Sequence, residues 1–124
     1  MALIRRLGRS LVIPLPVLTE TEYLIRTRAG AEFARRLLTH VASGGHEVAY
    51  MSPGILRRAV DLDERYAALS LGIADASVMA VAERHELPIL TFDFADFRAT
   101  ESEHGPWRLV VSETLLKKAI ERGT

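Results

Sequence analysis

The sequence contains no cysteine, which excludes a disulfide framework and any thiolate metal centre. It carries no surplus charge either, since sixteen lysines and arginines balance sixteen aspartates and glutamates. No global field draws nucleic acid in, so a nucleic-acid site has to be a local patch. No apolar run approaches the ~20 residues that span a bilayer, and the run near Met1 is too short for a secretory signal. The expected setting is the cytoplasm, with no membrane partner. P-loop, G-x-G-x-x-G and G-x-S-x-G signatures are all missing, which removes nucleotide binding by those routes and the serine-hydrolase elbow. His40, His46, His85 and His104 are scattered without H-x-x-x-H spacing, so zinc is not expected. Finally, nothing before Glu20 is acidic.

What is present suits one domain over residues 1–124. Nearly half of the 124 residues are hydrophobic, and a chain of this length buries roughly two thirds of its unfolded surface. Helical patterns alternate with short apolar strands, which predicts an α/β sheet with right-handed crossovers. Ala2 to Leu7 reads as the last turns of a helix capped by Gly8, as though the chain begins mid-fold. Leu11–Leu15 is a strand, with Pro14 at a position whose N–H no neighbour needs. Pro16 opens a helix to about Arg28. A second helix spans Ala31–Ala42, with Phe33, Leu37, Leu38 and Val41 inward and Arg35 and Arg36 outward. Glu47–Tyr50 is a brief strand. Ser52 and Pro53 start a helix to about Ala68, whose apolar stripe is Ile55, Leu56, Ala59, Leu62 and Tyr66. On it, Asp61, Asp63 and Glu64 interleave with Arg57, Arg58 and Arg65, the mark of a solvated outer face. Arg98–His104 reads as a polar loop, Trp107–Val111 as a last strand, and Ser112 as the cap of a terminal amphipathic helix.

The stretch Gly72–Phe97, GIADASVMAVAERHELPILTFDFADF, organises the rest. A nearly all-apolar helix opens on Asp75, where unpaired N–H groups favour negative charge. Pro88–Thr91 is a short strand buried on both faces, and Asp93 and Asp96 follow its carboxyl end, where open α/β sheets bind ligands. Acids gathered at one sheet mouth suit a hard cation. Equally, Asp75 is a helix-start carboxylate and Asp93 an Asx-turn residue. Glu20 shares a helical stripe with Val17, Thr21 and Leu24. Either it is buried and compensated by a metal or an arginine, or it lies at the stripe's edge in water.

Ile73-Ala74-Asp75-Ala76, Ala80, Ala82, Ile89-Leu90-Thr91-Phe92-Asp93 with Asp96-Phe97, and upstream Val17-Leu18-Thr19-Glu20-Thr21-Glu22-Tyr23-Leu24 carry a resemblance to the PIN-domain family, in particular the VapC-type toxins of bacterial toxin–antitoxin pairs. The likeness runs from about Leu11 to Val111. It implies a PIN-like three-layer α/β sandwich with a short, mostly parallel central sheet flanked by helices. It also implies a Mg²⁺- or Mn²⁺-dependent endoribonuclease. Asp75, Asp93 and Glu20 would hold the metal and Asp96 would complete the catalytic acids, while Thr91 either hydrogen-bonds one of the acids or is a structural strand-end threonine. RNA is the implied substrate, a small VapB-type antitoxin the implied protein partner, and a homodimer the implied assembly.

One departure stands out. The family's first strand lies mid-sheet, between the strands that match Leu11–Leu15 and Pro88–Thr91, and ends in an Asp. Here that N-terminal strand and its Asp are missing. The expected consequences are a truncated family member, weak or inactive as a nuclease, whose half-sheets close up or pair with another copy. Arg5, Arg6 and Arg9 either guide an RNA backbone or form a solvated patch. The competing class is a non-catalytic PIN-like module that binds RNA or protein. A response-regulator-like phosphoacceptor domain ranks last, since the only lysines, Lys117 and Lys118, fall in the terminal helix.

Overall fold

The computed structural model describes residues 2–5, 11–91 and 94–110, with residues 2–5 and Phe94 described by their backbone alone. In chain order the elements are β1 (Ala2–Arg5), β2 (Leu11–Pro14), α1 (Leu15–Ala29), α2 (Ala31–Ala42), β3 (Glu47–Ala49) and α3 (Pro53–Arg65). After a 3₁₀ turn over Ala67–Leu69 come α4 (Gly72–His85), β4 (Ile89–Thr91), α5 (Phe94–Ala99) and the hairpin strands β5 (Glu101–Ser102) and β6 (Gly105–Pro106). The architecture is a PIN-like α/β sandwich.

The main sheet runs β3-β2-β1-β4. β2 and β3 are parallel, and β1 is antiparallel to both β2 and β4. β2, β3 and β4 therefore point the same way, with β1 alone reversed among them. This corrects two expectations. Ala2–Arg5 is a strand rather than a helix end, and the slot between β2 and β4 is filled. A six-residue stretch with only three consecutive apolar residues, Ala2 to Ile4, carries too little periodicity to separate helix from strand, and two unpaired strand edges flanking a gap favour the extended form. Gly8 and the Arg6–Arg9 stretch lie outside the described residues. Pairing of Ala2 with Thr91 and of Arg5 with Leu11 puts Arg5 at the end of the sheet away from the carboxyl ends of β2 and β4.

The core forms on and around α4. Ala76 through Ala82 are all buried, because this helix is apolar on every side and is covered on every side. It packs against α3, α1, β1 and β2. Leu62, Met79, Val78 and Ile89 are among its largest fully buried side chains. In β2, Val12, Ile13 and Pro14 are all buried, as expected of a strand covered on both faces.

α3 begins as its sequence predicts: Ser52 Oγ accepts from the Ile55 N–H at 3.3 Å. On α2 Val41 is buried and Leu37 packs against the core as expected, with Arg35 and Arg36 outward, but Ala34 rather than Phe33 or Leu38 completes the inward stripe. Phe33 and Leu38 are exposed, with the Arg36 guanidinium 5.3 Å above the Phe33 ring. Leu56 is exposed as well, and α3 stops at Arg65. The expected polar loop holds the end of α5 and a two-stranded hairpin. Among the described residues the expected last strand is a single parallel bridge, Leu109 to Ile89. Val111, Ser112 and the terminal helix lie outside the described residues.

The entry to α4 is a tight turn. Ser70 is left-handed at φ 51 and Gly72 sits at φ 76. Asp63 Oδ1 accepts the Gly72 N–H at 3.2 Å, so this acid of the α3 outer face caps the next helix. A left-handed residue with a Cβ costs about 1–2 kcal/mol. Gly72→Ala, although nothing lies within 4 Å of the added Cβ, is expected to lower unfolding free energy by about that amount in urea titration.

Candidate active site

β2 passes into α1 without a loop, and Pro16 occupies the first turn of that helix. α4 starts at Gly72, after the turn just described. These two helix starts and Met51, just past the end of β3, enclose a cleft of about 690 Å³ at the carboxyl ends of the parallel strands. Leu15, Pro16, Thr19, Glu20 and Tyr23 of α1 line one side, and Leu71 to Asp75 line the other. Sequence reasoning had placed a ligand site at this end of the sheet. Both helix amino ends contribute partial positive charge there.

Glu20 and Asp75 thus share one cleft. Asp75 is half-buried in the first turn of α4. Glu20 is exposed, so of its two readings the stripe-edge one holds, and no burial penalty calls for a compensating cation. Asp93 lies outside the described residues, two positions beyond the end of β4. Asp96 sits half-buried in the first turn of α5 and is not among the residues that line the cleft. Its backbone carbonyl accepts from Thr100 Oγ1 at 2.8 Å. Thr91 is fully buried. Among the described residues, no three His, Cys, Asp or Glu side chains gather closely enough to hold a metal ion.

The donor chemistry of the cleft still fits a hard divalent cation. Among the described residues its ionisable lining, tyrosine apart, is carboxylate alone, with no histidine, and Mg²⁺ is ordinarily held by one or two carboxylates, the rest of its shell being water or substrate phosphate. β1 adds no acid. Being reversed, it brings Ala2 to the mouth beside Thr91, where a parallel strand would deliver its carboxyl-terminal residue.

A model of the PIN domain matches residues 1–102. The chain belongs to the PIN-domain family. It is also 32% identical over 91 residues to ribonuclease VapC26 of Mycobacterium tuberculosis, an alignment covering 73% of this chain and 67% of that protein.

Away from the cleft, this PIN domain holds a polar cluster that sequence reasoning missed. Arg58 of α3 makes a two-pronged ion pair with Glu83 of α4, Nε to Oε1 at 2.7 Å and Nη2 to Oε2 at 3.0 Å. The Glu103 N–H, in the turn of the β5–β6 hairpin, donates to Glu83 Oε2 at 2.9 Å. Burial pushes the Glu83 carboxyl up. The Arg58 hydrogen bond, the Glu103 N–H and the charges of Arg58 and His104 together outweigh it and hold the group below its ordinary 4.5. The signal lay in the spacing. Glu83 falls at i+7 from Ala76 and i+4 from Met79, on a stripe otherwise wholly buried. Arg58 was read as part of the solvated face; it turns inward to meet that carboxylate.

Proposed function

We propose that this chain is a divalent-metal-dependent endoribonuclease of the toxin type, acting in the cytoplasm and held in check by a small antitoxin protein. The observation that carries the reading is the pair Glu20 and Asp75 on one cleft, in a PIN-domain chain with a ribonuclease relative. Asp75 and Glu20 would bind Mg²⁺ or Mn²⁺ together with Asp93, with Asp96 in support from α5. When bound, such an ion supplies a Lewis acid for phosphoryl oxygens and a route to a nucleophile at neutral pH. The chain's own part is to fix the carboxylates on two helix starts and to orient the strand between them. Excess negative charge in the cleft also suits a partner that inserts a basic side chain, by Coulomb attraction.

Cleavage is expected to be slow, because the strand between β2 and β4 brings no carboxylate to the mouth. The test is cleavage of a labelled RNA by the full chain with Mg²⁺ or Mn²⁺, paired with Mn²⁺ titration. The expected result is weak cleavage that requires the ion and stops with a chelator. Fast turnover would overturn the slow assignment while keeping the enzyme. Failure to bind Mn²⁺ would favour the second reading, a non-catalytic module that binds RNA or protein, which the missing strand-end acid supports.

A further inference from the structure

Among the described residues, the lining of the acidic cleft contains no lysine or arginine. For RNA that is a demanding surface, since contacts between phosphates and basic side chains ordinarily supply most non-specific affinity. What the walls offer instead is apolar: Leu15, Met51, Ile73 and the ring of Tyr23. Tyr23 is 62% exposed and Ile73 50%, so both present apolar surface to whatever enters. Tyr23 follows Glu20 by three positions, hence on the same face of α1.

A strand whose phosphate is brought to Glu20 and Asp75 by a divalent ion lays the adjoining base within one nucleotide's length of them, and Tyr23 lies on the wall of that same cleft. Aromatic rings accept any base by stacking, provided that the base is unpaired and splayed from its helix. We propose that Tyr23 is the stacking platform for an unpaired nucleobase next to the phosphate that a divalent ion on Glu20 and Asp75 would hold. The cleft then takes single-stranded RNA through its bases rather than through phosphate charge. This rests on the ribonuclease reading for the identity of the ligand, and Tyr23 acts here as a binding residue.

The test is binding, read separately from cleavage. The full chain in Ca²⁺ is titrated with a single-stranded oligoribonucleotide containing 2-aminopurine, whose fluorescence falls on stacking. The expected result is quenching on binding, an affinity about 5- to 150-fold weaker for Tyr23→Ala, and recovery in Tyr23→Phe and Tyr23→Trp. The same strand annealed to its complement is expected to give no quenching. Affinity should also fall less than about tenfold between 50 and 200 mM salt, against the far steeper loss of phosphate-driven binders. Unchanged affinity in Tyr23→Ala, equal binding of the duplex, or no binding of RNA at all would overturn the proposal. So would an apolar peptide that saturates Tyr23 where the oligonucleotide does not. Cleavage unaffected by Tyr23→Ala sinks the stacking role and spares the nuclease, whereas stacking without any metal-dependent cleavage does the reverse.

Discussion

Asp75→Asn is expected to lower metal-dependent RNA cleavage by about 10²- to 10³-fold. The magnitude follows from what a bound ion contributes at the transition state, several kcal/mol, at 1.36 kcal/mol per tenfold in rate. The amide keeps the shape of the side chain but removes the charge that a hard cation needs. Asp75 lies in the first turn of α4, where losing a carboxylate forfeits about 0.3–1 kcal/mol of helix-dipole interaction. The thermal midpoint therefore separates a chemical loss from a folding loss. Mn²⁺ affinity gives a second readout that does not depend on turnover, and it should fall in parallel with the rate. Equal Mn²⁺ affinity in wild type and variant would remove Asp75 from the proposed donor set.

The sequence disclosed those parts of the fold in which local and tertiary preferences agree. α4 was legible because no polar side chain interrupts it between Ser77 and Glu83, so it had to be covered on all sides. α3 was legible from Ser52-Pro53, whose cap forms as expected. β1 was not legible, because Ala-Leu-Ile satisfies a helix and a strand equally over so few residues. Only the vacant slot between β2 and β4 decides it, and the slot exists only once the sheet is assembled. Its direction is equally non-local.

Of the two described carboxylates on the cleft, Asp75 was legible from its place at a helix start, whereas Glu20 was named by resemblance and its stripe left open whether it is buried; it lies exposed on the cleft. Tyr23 gave no signal, since the cleft wall arises from the approach of α1 to α4 and not from any period along the chain. Phe33 misled for a related reason. Its apolar surface is covered in part by Arg36 from its own helix rather than by the core, and a guanidinium over a ring is compatible with exposure.

Arg58→Ala is expected to cost about 2–4 kcal/mol of unfolding free energy, the largest loss foreseen for a single change outside the cleft. Removing one partner of a buried pair costs about 3–5 kcal/mol because the other charge is left without compensation. Here the Arg58 side chain is 27% exposed and Glu83 only 7%, so water reaches one end and the figure is discounted. The effect should depend on pH in a definite sense. In the wild type the Glu83 carboxyl is held below its ordinary 4.5, so its contribution is complete above that value and disappears as pH falls through the folded-state value. Without Arg58, desolvation acts against fewer opposing interactions and pushes the same carboxyl upward, so that its charged form opposes folding at neutral pH. Acidification protonates it and relieves that penalty. The stability gap between wild type and Arg58→Ala should therefore be widest near neutrality and close as pH drops below about 4.5. Urea unfolding at a series of pH values measures it, and a gap constant with pH would show that lost packing, not the uncompensated carboxylate, sets the cost. Replacing both partners, as Arg58→Met with Glu83→Leu, should recover most of the loss. It would still leave the Glu103 N–H without its acceptor, so the hairpin turn at Glu103 is where hydrogen exchange should remain faster than in the wild type.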